Sequence, residues 1–314
     1  MSEPKSTHPE AGVVATRREL VALAREQPLS PRGRAARVKT QFGGMRASRF
    51  HGRGMEFSEV RAYQPGDDVR SIDWRVTART GRPHSKLFQE ERERPVWLVA
   101  DLGPSMRFGT RGAFKSVAAA RVAAVLAWEA HGEGERVGGI VLAPGSTVEL
   151  PPARTRRHLL RFLDVLAAGT AVSGEVLADD LEAQLRWLAP RVRGGSSVVV
   201  VSDFYAHDEA LALALRVLAR RAEVTLVHVF DPLECTPPPA GRYRVSDGRE
   251  IRSVASGRGS AWQQAITREF EARSHALSEL TRRHRMELVS LRTDEAPAAA
   301  LAVARGRVAR AGAA

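Results

Sequence analysis

Pro95-Val96-Trp97-Leu98-Val99-Ala100-Asp101-Leu102-Gly103-Pro104-Ser105 decides how this chain folds. Five apolar residues in a row, closed by an aspartate, read as a short strand that a sheet buries on both faces. The apolar run 114–131 that follows has the length of a helix of about five turns. The same alternation continues downstream. Residues 136–142 read as a strand, and 147–150 as a short strand paired to it across Pro144-Gly145. Residues 155–167 and 175–188 are amphipathic helices, and Ser197-Val198-Val199-Val200-Val201-Ser202 is a second continuously apolar strand. A helix at 208–221, a strand at 224–230, a long helix at 260–284, a strand at 286–291 and a helix at 296–310 complete the series. Strand–helix alternation predicts an α/β fold of Rossmann type, a mostly parallel sheet with helices on both faces.

That domain spans residues 95–292. Residues 1–41 read as a flexible tail with a short helix at 16–26, and residues 293–314 as a terminal helix and tail. Residues 42–94 differ in texture, being rich in glycine, arginine and acidic residues. Short apolar alternations there (Phe57, Val60, Tyr63; Val69, Ile72, Trp74) predict a small irregular β-rich segment packed on the main domain, with a β-turn at 64–67. Asp247-Gly248, central in 243–252, carries a hairpin signal.

Composition narrows the function classes. With 43% apolar and 27% charged residues, the 314-residue chain is that of an ordinary folded protein. A single cysteine excludes an internal disulfide. No apolar run approaches the roughly 20 residues that span a bilayer, and the first residues lack a secretory pattern, so a cytoplasmic location is expected. The net charge of +12 comes almost entirely from arginine, with lysine only at positions 5, 39, 86 and 115. Residues 31–94 hold 15 basic and 8 acidic residues, a surplus of seven. No RNA-binding signature or recognition helix accompanies it, so nucleic acid is an unlikely partner.

Ligands of open α/β sheets bind beyond the carboxyl ends of the strands, where strand order reverses. Asp101 and Ser105 follow the first strand, and Asp203 follows the strand at 197–202. Thr170 is expected in the loop between the helices 155–167 and 175–188. Two carboxylates and two hydroxyls from three loops form an oxygen set suited to a hard cation such as magnesium. Each residue alone also suits a simpler role as a helix or turn cap.

This set resembles the metal-ion-dependent adhesion site of von Willebrand factor A domains, with Asp101, Ser105, Thr170 and Asp203 matching its pattern. Gly103 stands where that pattern has a serine, which implies a weakened Mg2+ site. Upstream, the run 52–81, including Glu56, Arg61, Tyr63, Asp67, Asp68, Arg70, Asp73, Trp74 and Arg79, resembles the signature of the domain of unknown function 58 family. There the signature precedes a von Willebrand A-like domain. The resemblance implies a bacterial or archaeal protein associated with a MoxR-type AAA+ ATPase, and no established enzymatic activity.

The expected function is a non-enzymatic protein-binding module, the partner of such an ATPase in chaperone-like assembly or maturation of protein complexes. Its unknown clients would be captured through the strand-end site. Arg61, Asp67, Asp68, Arg70, Asp73, Trp74 and Arg79 are candidate partner-binding residues, since arginine and tryptophan favour interface centres; the charged residues equally suit a self-satisfying ion network. Two alternatives stand beside this reading. One is nucleic-acid binding through the basic 31–94 segment. The other is a metal-dependent hydrolase, disfavoured because no nucleophile elbow, phosphate loop or zinc motif occurs.

Overall fold

The computed structural model describes residues 12–25, 55–64, 69, 72–90, 94–172, 181–206, 208–246, 251–257 and 260–311. The chain forms two compact units, Pro31–Glu93, and Met1–Ser30 together with Arg94–Ala314. Helix α1 (Arg17–Ala22) opens the larger unit. Thr16 and Glu19 close its first turn as a capping box, and Leu20 is wholly buried.

In the smaller unit, strand β1 (Met55–Ala62) pairs antiparallel with β2 (His84–Glu90), and helix α2 (Trp74–Thr80) lies between them in sequence. Of the alternation Val69, Ile72, Trp74, Ile72 makes an isolated antiparallel bridge to Ser85, and Trp74 opens the helix. The Asp73 side chain accepts hydrogen bonds from the Arg75 and Val76 amides, and Gly81 ends the helix at φ 71°. Two good caps outweigh a weak two-residue period. Of the expected turn, residues 65–67 lie outside the described residues.

The larger unit continues with β3 (Pro95–Asp101), α3 (Lys115–Gly132), β4 (Arg136–Ala143), β5 (Ser146–Ala153), α4 (Arg156–Ala171) and α5 (Leu181–Leu188). Then come β6 (Ser197–Ser202), α6 (Glu209–Ala219), β7 (Glu223–Phe230) and α7 (Pro232–Cys235). A hairpin of β8 (Gly241–Ser246) and β9 (Ile251–Ser256) precedes α8 (Ala261–His284), β10 (Glu287–Arg292) and α9 (Pro297–Ala311). Six strands form one sheet in the order β10-β7-β6-β3-β4-β5, parallel except for β5. This is the Rossmann-type α/β architecture expected from the alternation.

Period-two packing divides the core between the two faces. Val96, Leu98 and Ala100 of β3 meet the side covered by α1, α3, α4 and α9, whereas Trp97 and Val99 meet the side of α5, α6 and α8. Helix α3 is buried almost all round, and its many alanines leave room for that. At the edge, β5 runs on through Pro151 and Pro152 past the expected end at Leu150. Prolines lack the amide donor of a central strand; a register shift between Val137 and Gly139 accommodates them at the edge.

Strand order reverses between β3 and β6, since the chain moves outward from β3 in both directions. The carboxyl ends of these neighbours are Asp101 and Ser202-Asp203. Helix α4 runs through Gly169 and Thr170 rather than ending at 167, so the expected loop at these residues is the last turn of a helix. Both residues are buried there and continue the apolar face of Leu159, Phe162, Leu163 and Leu166. Burial overrides the poor helix propensity of glycine and threonine. Among the described residues, no helix is long and apolar enough to cross a membrane.

Candidate functional site at the strand ends

Asp101, at the end of β3, accepts hydrogen bonds from the Gly103 amide (2.9 Å) and the Ser202 hydroxyl (2.6 Å). Asp203 follows β6 and is buried. Its Oδ1 accepts from the Ser105 hydroxyl (3.2 Å) and the Tyr205 amide (3.1 Å), and its Oδ2 accepts from Lys115 Nζ (2.7 Å). Lys115 opens α3, and its ammonium also lies 2.8 Å from Glu234 Oε1, close but off the hydrogen-bonding direction. Arg273 of α8 binds the other oxygen of Glu234 at 2.7 Å.

The turn after β6 aims these groups. Phe204 sits at φ 49°, a left-handed conformation that costs a non-glycine residue about 1–2 kcal/mol. Its amide donates to the Ser202 hydroxyl, and its ring is buried against His228. The reversed backbone turns Asp203 inward and leaves Tyr205 exposed. Nothing in the local sequence marks a phenylalanine for that conformation.

Thus two hydrogen bonds cross the strand ends, Ser202 to Asp101 and Ser105 to Asp203. Thr170 takes a different part: its hydroxyl donates to Ala167 O (2.8 Å) and accepts from the Ala15 amide (3.0 Å), pinning the N-terminal segment to α4. Of the candidate partner-binding residues, Asp73 caps α2, Trp74 is 68% exposed and Arg79 is exposed on the same helix. Arg61 lies in β1, and Asp67, Asp68 and Arg70 fall outside the described residues.

Lys115, Glu234, Arg273 and Asp231 escaped the sequence reading. Asp231 was within reach of it, being the residue after a predicted strand. Lys115 was marked by its rarity among arginines. Glu234 and Arg273 are brought in by α7 and α8, and carry no local signal.

The set fits a divalent cation poorly. Both oxygens of Asp203 are engaged, Ser105 donates to that carboxylate, Gly103 brings no hydroxyl and Thr170 is bonded elsewhere. The Lys115 ammonium already balances the Asp203 charge.

Asp101 receives only neutral donors, and burial together with the Asp203 charge pushes its pKa up from 3.8 to about 6. A carboxyl whose folded pKa is raised gives stability that is complete below pH 3.8 and is lost as pH rises through 6. A shift of that size corresponds to about 3 kcal/mol, reduced by relaxation. Asp101→Asn, which cannot ionise, is therefore expected to match the wild type near pH 4. Near pH 7.5 it should exceed it by about 1–2 kcal/mol, after some loss of the Ser202 bond. Urea unfolding at both pH values measures the difference; equal stabilities at pH 7.5 would refute the electrostatic account.

Two relatives, uncharacterized proteins of Mycobacterium bovis and Mycobacterium tuberculosis, are 35% identical to this chain over 250 residues, covering 77% of it and 76% of their own length. Residues 59–278 match the family described as protein of unknown function DUF58, a span that takes in the second half of β1 and the strand-end cluster alike. With its site, five of the six strands of its main sheet and most of its length inside that match, the chain belongs to the DUF58 family.

Proposed function

We propose that this chain is a non-enzymatic protein-binding module with a von Willebrand A-like domain, and that it partners a MoxR-type AAA+ ATPase in the assembly or maturation of protein complexes. The observation that carries the docking reading is Tyr205. Its ring is 62% exposed beside the buried carboxylates at the point where strand order reverses, with the Arg273 guanidinium 5.6 Å from its centre. A large, orientated aromatic ring at the ligand-binding end of an α/β sheet is the kind of anchor on which interfaces depend. The antiparallel edge strand β5 and the trio Asp101, Ser105 and Asp203 support the von Willebrand A-like assignment.

The test is binding of the full chain to a purified MoxR-type ATPase from the same genome. Tyr205→Ala is expected to weaken binding at least tenfold while leaving the melting temperature unchanged, because the side chain is exposed. Wild-type protein that fails to bind, or a Tyr205→Ala variant that binds equally well, removes the reading.

A second reading, binding of nucleic acid, has its own observation. The opposite pole of the larger unit consists of the connections at the amino ends of the parallel strands, at 94, 132–136, 153–157, 189–196, 219–223 and 281–287. Twelve arginines and four glutamates lie there, a surplus of eight. The described connections at the carboxyl ends, the β8–β9 hairpin included, carry seven acidic and seven basic residues and so no surplus. Arginines dispersed along the sequence thus gather at one pole of the larger unit. Affinity for duplex DNA that falls steeply with salt, and falls further in Arg156→Ala/Arg157→Ala, supports this reading. Salt-independent retention disposes of it.

A further inference from the structure

We infer that Lys115 is the resident cation of the strand-end site, and that the site operates without a divalent metal. The ammonium is in an unfavourable place by every local criterion. Its side chain is 4% exposed, and it sits in the first turn of an 18-residue helix, where the helix dipole repels positive charge. A buried ion at the wrong helix end persists only where fixed counter-charges hold it. Asp203 Oδ2 at 2.7 Å and Glu234 Oε1 at 2.8 Å are those charges, and the Phe108 ring lies 5.8 Å away. The loop joining β3 to α3 fixes the lysine there, for the Lys115 amide donates to Phe108 O at 2.8 Å.

The consequence is a neutralised centre with one carboxylate left over. Lys115 and Arg273 balance Asp203 and Glu234, and Asp101 remains. A metal-bearing site offers an open coordination position to a partner's carboxylate. This one offers a hydroxyl and a carboxylate, Ser105 and Asp101, so the partner group it takes is a cation or a hydrogen-bond donor. That last step rests on the docking reading; the identity of the cation does not.

The experiment is thermal unfolding of the full chain after dialysis against EDTA, with and without millimolar MgCl2. The wild type is expected to melt at the same temperature in both. Lys115→Ala is expected to lose roughly 6–10 °C, since it strands the buried Asp203 carboxylate, and to recover part of that loss with magnesium. Should it fail to fold, Lys115→Met/Asp203→Asn, which removes both members of the pair, regains most of the wild-type melting temperature and ignores magnesium. A magnesium-dependent rise in the wild type overturns the inference, as does a Lys115→Ala variant that melts like the wild type or, once destabilised, ignores magnesium. A double variant no more stable than Lys115→Ala also overturns it. Binding of the ATPase to the EDTA-dialysed chain, with and without MgCl2, is a separate arm, whose failure in both counts against docking alone.

Discussion

Asp231→Ala is expected to lower the unfolding free energy by about 3–5 kcal/mol, among the largest effects any single side chain can give. Asp231 is wholly buried after β7. Its Oδ2 accepts from the Thr110 amide (2.7 Å) and the Thr293 hydroxyl (2.9 Å), and its Oδ1 from the Thr110 hydroxyl (2.5 Å) and the Leu233 amide (2.9 Å). One carboxylate therefore ties the loop after β3, the start of α7 and the end of β10 to the end of β7. Hydrogen bonds to a charged acceptor contribute about 1.5–3 kcal/mol each, and they do not add. Alanine leaves four donors facing a cavity. Asp231→Asn keeps one carbonyl oxygen but turns an amide toward two of those donors, so about half the loss is expected. Urea unfolding ranks the three proteins, and an alanine variant within 1 kcal/mol of the wild type would contradict this account.

The second large effect comes from Gly139, in the middle of β4. A β-carbon there would lie 2.0 Å from Leu98 O of the neighbouring strand and 3.0 Å from the Phe162 ring. The ring can move, but the carbonyl belongs to the β3–β4 pairing and is fixed. Gly139→Ala is expected to cost about 3 kcal/mol or more, at the upper end of overpacking because backbone must shift. Gly194→Ala, where a β-carbon meets nothing within 4 Å, is the matched control and should change stability by less than about 1 kcal/mol. Should both variants unfold at the same urea concentration, the close approach at Gly139 is not real.

The fold was legible because its signals are redundant. The central strands β3 and β6, Val198–Val201 most plainly, are buried on both faces and read as apolar runs, while the edge strand β10 alternates. The ends of elements were less legible, since caps compete with period. Asp73 made a helix where alternation suggested a strand, and the buried face of α4 carried it through Gly169-Thr170.

The site divides along the same line. By itself the sequence placed Asp101, Ser105 and Asp203 beyond the ends of two strands, because strand ends follow from hydrophobic pattern. Only the tertiary structure brought Lys115, Glu234 and Arg273 to them from α3, α7 and α8, turned Thr170 toward Ala15, and gathered the dispersed arginines at the opposite pole. Those choices depend on which helix crosses which strand end. Charge acts through distance in space, and a chain of residue types does not state that distance.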